Sequence, residues 1–285
     1  MTFDPIGWAA RHGAVPGAPV ERAPAVTSVG AMFVDAHSLL CTVDPDLAAV
    51  TVEARLREQD LTLGLFPERY EVASVGELVE GDDPGAGARG AGFKALLRGT
   101  DDGLLLLDVR RRPEAQSGRG LLVESFEAGA EALRLLAQSD VVPAISLLAD
   151  PNAADLLLEV AGDPDTARAT LGEGRALLIL VAAGRQGEAA ARAERAIAAC
   201  ASCISSDLGQ NVARAWAGSR YDLPGHAAML AAGGYRLETH REWYRWSRLE
   251  AALATSPEGV WCGRQLVGVS GQGAVLQHRI LNPPG

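Results

Sequence analysis

Lysine is almost missing from this chain: of its 26 basic residues, Lys94 alone is a lysine. It follows Phe93 rather than glycine, so the phosphate-cradling G-x-x-x-x-G-K-[ST] loop is excluded, and no other residue could form a Schiff base. Histidine is sparse as well. His12, His37, His226, His240 and His278 contain no H-E-x-x-H and no i, i+4 pair. Convergence of His226 with His240 is the one arrangement left to folding, and no metal site is expected. Four cysteines in 285 residues are too few for a disulfide scaffold and agree with a reduced, cytoplasmic setting. Cys200 and Cys203 have redox or half-zinc spacing, but with no second pair they read as buried small residues closing an alanine-rich helix. No apolar run reaches the ~18 residues that cross a bilayer. Met1 to Val20 lacks an apolar core behind a basic start, so neither a membrane span nor an export signal is expected.

Cations are also too few to dominate. The formal charge of −10 excludes a surface built for nucleic acid or anionic membrane, which needs clustered positive charge. What is present is apolar: 48% hydrophobic residues support real cores, and the length allows two domains. Residues 1–27, rich in Pro, Gly and Ala without a sustained period, read as a flexible N-terminal arm. Leu39 to Ala54 alternates around Asp44-Pro45-Asp46 as two short strands would. Asp35, His37 and Ser38 are neighbours in sequence, which is no sign of a catalytic triad, because triad members meet through the fold.

From Gly118 onward, strands and helices alternate. Strands are expected at 120–124, 142–148 and 175–181, the last buried, with helices at 126–138, 152–160 and 187–201. Ser125 caps the first helix and Glu188 with Arg192 supports the third. Two such β-α-β units imply a ferredoxin-like sheet with helices on one face. Tyr235, Trp243, Tyr244 and Trp246 lie at helical offsets and read as packing. Val260 to Val269 and Ala274 to Ile280 read as a terminal hairpin around Ser270-Gly271-Gln272-Gly273.

Several stretches together resemble the FAD-linked oxidases with the vanillyl-alcohol-oxidase-type flavin fold, in the group of alkyldihydroxyacetonephosphate synthase, D-lactate dehydrogenase and glycolate oxidase. Between Trp216 and Trp246, Arg220, Pro224, Glu238, Thr239 and Trp243 follow the pattern RF-x-x-PY-x-R-D…T-x-E-T-x-x-x-W. Leu61 to Gly76, LTLGLFPERYEVASVG, is similar to G-L-T-L-G-H-F-P-Q-S…A-T-x-G-G, and Asp101 to Pro113 is similar to a strand ending L-R-x-R-P. The resemblance spans roughly residues 35–280. It implies an α+β fold: a truncated FAD-binding-type domain at 28–116 followed by a ferredoxin-like α/β cap domain at 117–285.

The same resemblance exposes what has been lost. The family's P-x-G-G-G-T-S cradle has no counterpart in AVPGAPVERAPAVTSVG, and the acidic run Glu80-Gly81-Asp82-Asp83 falls where a diphosphate would sit. Leu147 stands where P-A-x-x-R-L-x-D has its arginine. Cys262 to Gly268 replaces both histidines and the tyrosine of C-H-V-S-H-V-Y. The resemblance therefore implies no catalytic residue and no metal ligand. Pro67, Ser74 and Gly76 remain as residual cofactor positions and Arg220 as a substrate-side position. The expected protein is a non-catalytic homologue without cofactor, acting as a binding, regulatory or assembly subunit. The alternative is an FAD-dependent oxidoreductase acting on a 2-hydroxy acid or ether-lipid precursor through a rearranged or partner-completed site. Because the terminal hairpin leaves an uncovered edge, a homo-oligomer or a heteromer with a full-length flavin oxidase is expected, with no nucleic-acid partner.

Overall fold

Two β-sheets, each with its own core, carry the chain. The structure, a computed structural model, describes residues 3–13, 29–65, 67, 69–70, 72–81, 92–141, 143–162, 171, 174–220, 222–255 and 260–282. Residues 14–28, most of the segment read as an arm, and Asp82 and Asp83 of the acidic run lie outside them.

The first sheet begins with a hairpin of β1 (Met32–Asp35) and β2 (Leu40–Val43). Its turn is made by Asp35, whose Oδ1 accepts from the backbone N–H of His37 and of Ser38, both at 3.0 Å. That aspartate, histidine and serine thus serve a turn. The second strand expected after Asp44 is instead helix α2 (Ala49–Arg57). Val50, Thr51 and Val52 favour a strand locally, but Ala49, Val52, Glu53 and Leu56 are buried at i, i+3, i+4 and i+7, and burial on one helical face prevails over propensity. A short ribbon of β3 (Leu61–Thr62) with β6 (Arg110–Arg111) follows the helix. Helix α3 (Val75–Glu80), β4 (Leu97–Asp101) and β5 (Leu104–Asp108) complete the unit, with sheet order β1-β2-β5-β4. Leu47, Leu56, Leu61, Leu63, Leu78, Phe93 and Leu107 fill its core.

The second sheet has seven strands in the order β10-β7-β9-β8-β12-β13-β11. Its first part is β7 (Ala115–Val123), α4 (Phe126–Ala137), β8 (Ile145–Ala149), α5 (Pro151–Val160), β9 (Ala176–Gly184), α6 (Glu188–Ala199) and β10 (Ile204–Leu208). Its strand order β10-β7-β9-β8 is that of a ferredoxin-like unit, and the mixed α+β architecture expected from the sequence is present. Ser125 caps α4 by accepting from Ala128 N at 3.1 Å. Helices lie on both faces rather than one. Every residue of β9 from Ala176 to Ala182 is buried, so Leu178 and Leu180 pack under α4 and α6 while Leu177, Ile179 and Val181 need cover on the other side. That cover comes from α5 and α7 (Gly209–Ser219), through Ala153, Leu158, Val212 and Trp216.

After α8 (Leu223–Ala232), residues Arg236–Arg245 form strand β11, followed by α9 (Trp246–Leu253). The helical reading of Tyr235, Trp243 and Tyr244 is corrected: these residues sit in or beside a strand that pairs with β13 (Gly273–Asn282) over ten positions. Register explains it, since a ten-residue ladder satisfies backbone groups that an isolated helix turn would leave exposed to the sheet. The terminal hairpin of β12 (Trp261–Val267) and β13 forms as expected. Its outer edge, expected open, is covered by β11, and its inner edge joins β8.

The beginning of the expected arm is a docked helix, α1 (Pro5–Arg11). Asp4 caps it, and Trp8 is completely buried, edge-on to Trp261 with ring centroids 4.9 Å apart. One large aromatic side chain supplies the apolar area that the surrounding Pro and Gly lack.

Candidate functional site

Where the two sheets meet, a cleft of about 680 Å³ opens between α2, the β3–β6 ribbon and the ends of β7, β8, β9, α6 and α7. Its lining has a marked charge. Arg57, Arg110, Arg111, Arg112, Arg192 and Arg220 face two carboxylates, Glu53 and Glu114. Among the described residues, no histidine, tyrosine, cysteine, serine or lysine lines it; the others that do are Thr62, Gln116 and small or apolar side chains.

Two of these arginines are held in place by backbone carbonyls. Arg110 donates from Nη2 to Gly64 O at 3.0 Å and to Leu63 O at 3.4 Å. Gly64 makes this possible: it has φ +68°, and a Cβ there would overlap the Arg110 guanidinium. Arg192 donates to Ala183 O at 3.2 Å and to Glu188 Oε1 at 2.5 Å. The half-buried Arg220 sits just past α7 with its guanidinium 5.8 Å from the Trp216 ring. Glu53 is buried and accepts from Leu63 N at 3.0 Å, joining α2 to the ribbon.

Of the positions singled out in the sequence, Arg220 lines this cleft and Pro67, Ser74 and Gly76 do not. Pro67 is buried in the connection to α3. Ser74 is the N-cap of α3 in a capping box: its Oγ accepts from Glu77 N at 3.2 Å, and Glu77 Oε2 accepts from Ser74 N at 2.9 Å. Val75 N donates to Leu47 O at 2.9 Å and Gly76 N to Pro45 O at 2.8 Å. All four N–H groups from Ser74 to Glu77 are thus committed within the protein. Within the same LTLG segment, Thr62 and Gly64 are the residues that reach the cleft. Sequence reasoning overlooked them, and the arginine triplet beside them was read only as the end of a strand.

Other marked positions are packed away. Leu147, where the pattern has an arginine, is buried between Ile145 and Ala149 against α5. At Gly263, where it has a histidine, a Cβ would lie 3.0 Å from Ala153 N and Cα, so α5 occupies that space. Leu266, where it has the second histidine, is completely buried under α4 and α9. Arg264 between them shares the face of Leu266, opposite Gly263, ion-pairing with Asp150 at 3.1 Å and lying 5.1 Å over the Phe126 ring.

Cys200 and Cys203 are free and buried, as are Cys41 and Cys262. Burial first, and then its neighbour Cys203, pushes the Cys200 thiol up to about 12, far from the thiolate that redox chemistry requires. His226 stacks edge-on against Phe3 at 4.8 Å, whereas His240 contacts Glu238 at 3.3 Å. No group of three metal-ligating side chains forms among the described residues.

The fold and cleft define a two-sheet α+β protein whose larger antiparallel sheet, with helices on both faces, closes over a smaller α+β unit. Residues 112–249 match the family model described as FAD linked oxidases, C-terminal domain. Over this stretch, just under half of its length, the chain is similar to the FAD-linked oxidases. Solved structures share the fold at low identity: alkyldihydroxyacetonephosphate synthase (TM-score 0.72, 15% identity, 89% of this chain and 57% of that one); p-cresol methylhydroxylase (0.63, 13%, 88% and 63%); and 4-ethylphenol oxidase from Gulosibacter chungangensis (0.60, 10%, 88% and 64%). The chain thus spans about 57% of the synthase. No curated protein matches the sequence. Among the described residues, no helix is long and apolar enough to cross a membrane.

The family implies FAD, but the residues at Ser74 to Glu77 do not fit its diphosphate. Their N–H groups are all engaged, Glu77 adds negative charge, and α3 is only six residues long.

Proposed function

We propose that this chain is a non-catalytic FAD-linked oxidase homologue acting as a binding, regulatory or assembly subunit, with modules dividing near residue 116. One observation carries the reading. Leu147 and Gly263, at positions where the family pattern has an arginine and a histidine, are packed against α5, and a Cβ at Gly263 would already lie 3.0 Å from the Ala153 backbone. Proton abstraction beside a flavin needs a positioned base and a group that polarises the substrate. Among the described lining residues the carboxylates are Glu53, which is committed to Leu63 N, and the exposed Glu114, and the polarising groups are arginines. Pro67, Ser74 and Gly76 then act as framework, and Arg220 as a ligand-facing side chain. Four free, buried cysteines are in keeping with a cytoplasmic setting.

The competing reading is an FAD-dependent oxidoreductase for a 2-hydroxy acid or ether-lipid precursor, completed by a partner. It draws on Arg220 in the cleft. The visible absorption spectrum of the purified protein separates the two. The expected result is no flavin band; a stoichiometric band that survives dialysis would overturn the non-catalytic reading.

A further inference from the structure

The arginine cleft is at odds with the charge of the chain around it. The molecule carries −10 overall, yet six arginines and two carboxylates line one cleft of about 680 Å³. Mutual repulsion makes such a cluster unfavourable unless an anion relieves it, and a concave site of one sign concentrates its field on a small counter-ion.

Apart from Arg220, which lies by the Trp216 ring, the cations fall into two sets. Arg110 and Arg192 are braced on carbonyls of Gly64 and Ala183; Arg110 adds fixed positive potential, whereas the charge of Arg192 is offset by its ion pair with Glu188 at 2.5 Å. Arg57, Arg111 and Arg112 are exposed, and none of their guanidinium groups has a hydrogen bond or ion pair among the described residues. Arg111 and Arg112 are fixed at the backbone, through β3–β6 pairing and the Arg112 N–H to Asp60 O bond at 3.0 Å. Planar guanidinium forks with open donors on a fixed backbone suit bidentate capture of a carboxylate or phosphate.

We propose that this interdomain cleft binds a small molecule bearing two or more anionic groups, phosphate or carboxylate, gripped by Arg57, Arg111 and Arg112 with Arg220 at its far wall. The inference rests on the reading of the chain as a binding protein and names its ligand class. A single anionic group would meet only part of the arc. A ligand with separated charges can engage the α2 side and the ribbon side together.

The test is calorimetric titration of the intact chain at low salt with two probes, inorganic pyrophosphate and citrate, which distinguish a phosphate from a carboxylate source. At least one probe is expected to bind saturably, with affinity falling tenfold or more when Arg111→Gln and Arg112→Gln are combined. Arg248→Gln on α9, outside the cleft, is expected to leave binding unchanged. Circular dichroism of each variant establishes that it is folded. Failure of both probes to bind at millimolar concentration, or equal weakening by Arg248→Gln and the cleft variants, overturns the site. A parallel titration with FAD keeps the two ideas separate. Tight flavin binding that pyrophosphate does not displace defeats the non-catalytic reading, whereas probe binding without flavin binding supports both.

Discussion

At the scale of single residues, the first module depends on side chains that look unremarkable in the sequence. Gly64 is the clearest case, because its left-handed backbone and the guanidinium lying across it leave no place for a Cβ. Gly64→Ala is therefore expected to cost about 1–3 kcal/mol, the range for a non-glycine residue held in such a conformation. It should also loosen Arg110 and with it the cleft. Thermal unfolding measures the first effect, and a melting temperature equal to that of the unaltered protein would contradict the assignment. Glycine at this position reads in the sequence as one letter of a motif; that an arginine 46 residues later needs the space follows only from the fold. Ser74 differs. A serine three residues before a glutamate is a capping signature on its own, yet the family resemblance drew attention to the cofactor instead.

Among the elements, α1 and β11 depart furthest from expectation. For α1, local composition pointed to an arm, whereas Trp8 anchors the helix among Trp261, Tyr235 and Leu230. Trp8→Ala is expected to cost about 3–5 kcal/mol, the usual range for removing a buried aromatic, up to the limit set by undocking of α1 alone. Chemical denaturation combined with tryptic cleavage at Arg11 checks it: unchanged stability and unchanged protection would mean that the helix is not held by this contact. For β11, the aromatic residues at helical offsets were misleading because a ten-residue strand also places Tyr235, Trp243 and Tyr244 within reach of packed neighbours. Deciding between the two periods required the partner strand, β13, which lies more than thirty residues further on.

For the molecule as a whole, the question is where it is left open. The larger sheet ends at β11, a ten-residue edge with Trp243 exposed. Long edges invite pairing with another chain. An antiparallel alignment of two such strands that sets Arg241 opposite Glu242 also sets Glu238 opposite Arg245, so the edge is complementary to itself. Self-association through β11 is the expected outcome, in place of association through the hairpin. Light scattering at micromolar concentration is expected to give a dimer that Trp243→Lys converts to a monomer. A monodisperse monomer of the unaltered protein removes the idea, and a heteromer with a flavin oxidase would then be tested by mixing the two.

The alternation of apolar strands and helices from residue 118 onward made the ferredoxin-like unit legible in the sequence, because each element there carries its own period and Ser125 marks the start of the first helix. Leu147 and Gly263 were also legible in the sequence as departures from the arginine and histidine of the family pattern. The tertiary structure decided the rest. Cover for both faces of β9, the pairing of β11 with β13, the burial of Trp8 and the meeting of Arg57, Arg111, Arg112 and Arg220 in one cleft all join residues far apart in the chain. No local period encodes such meetings; they follow from which apolar faces find each other when the two sheets close.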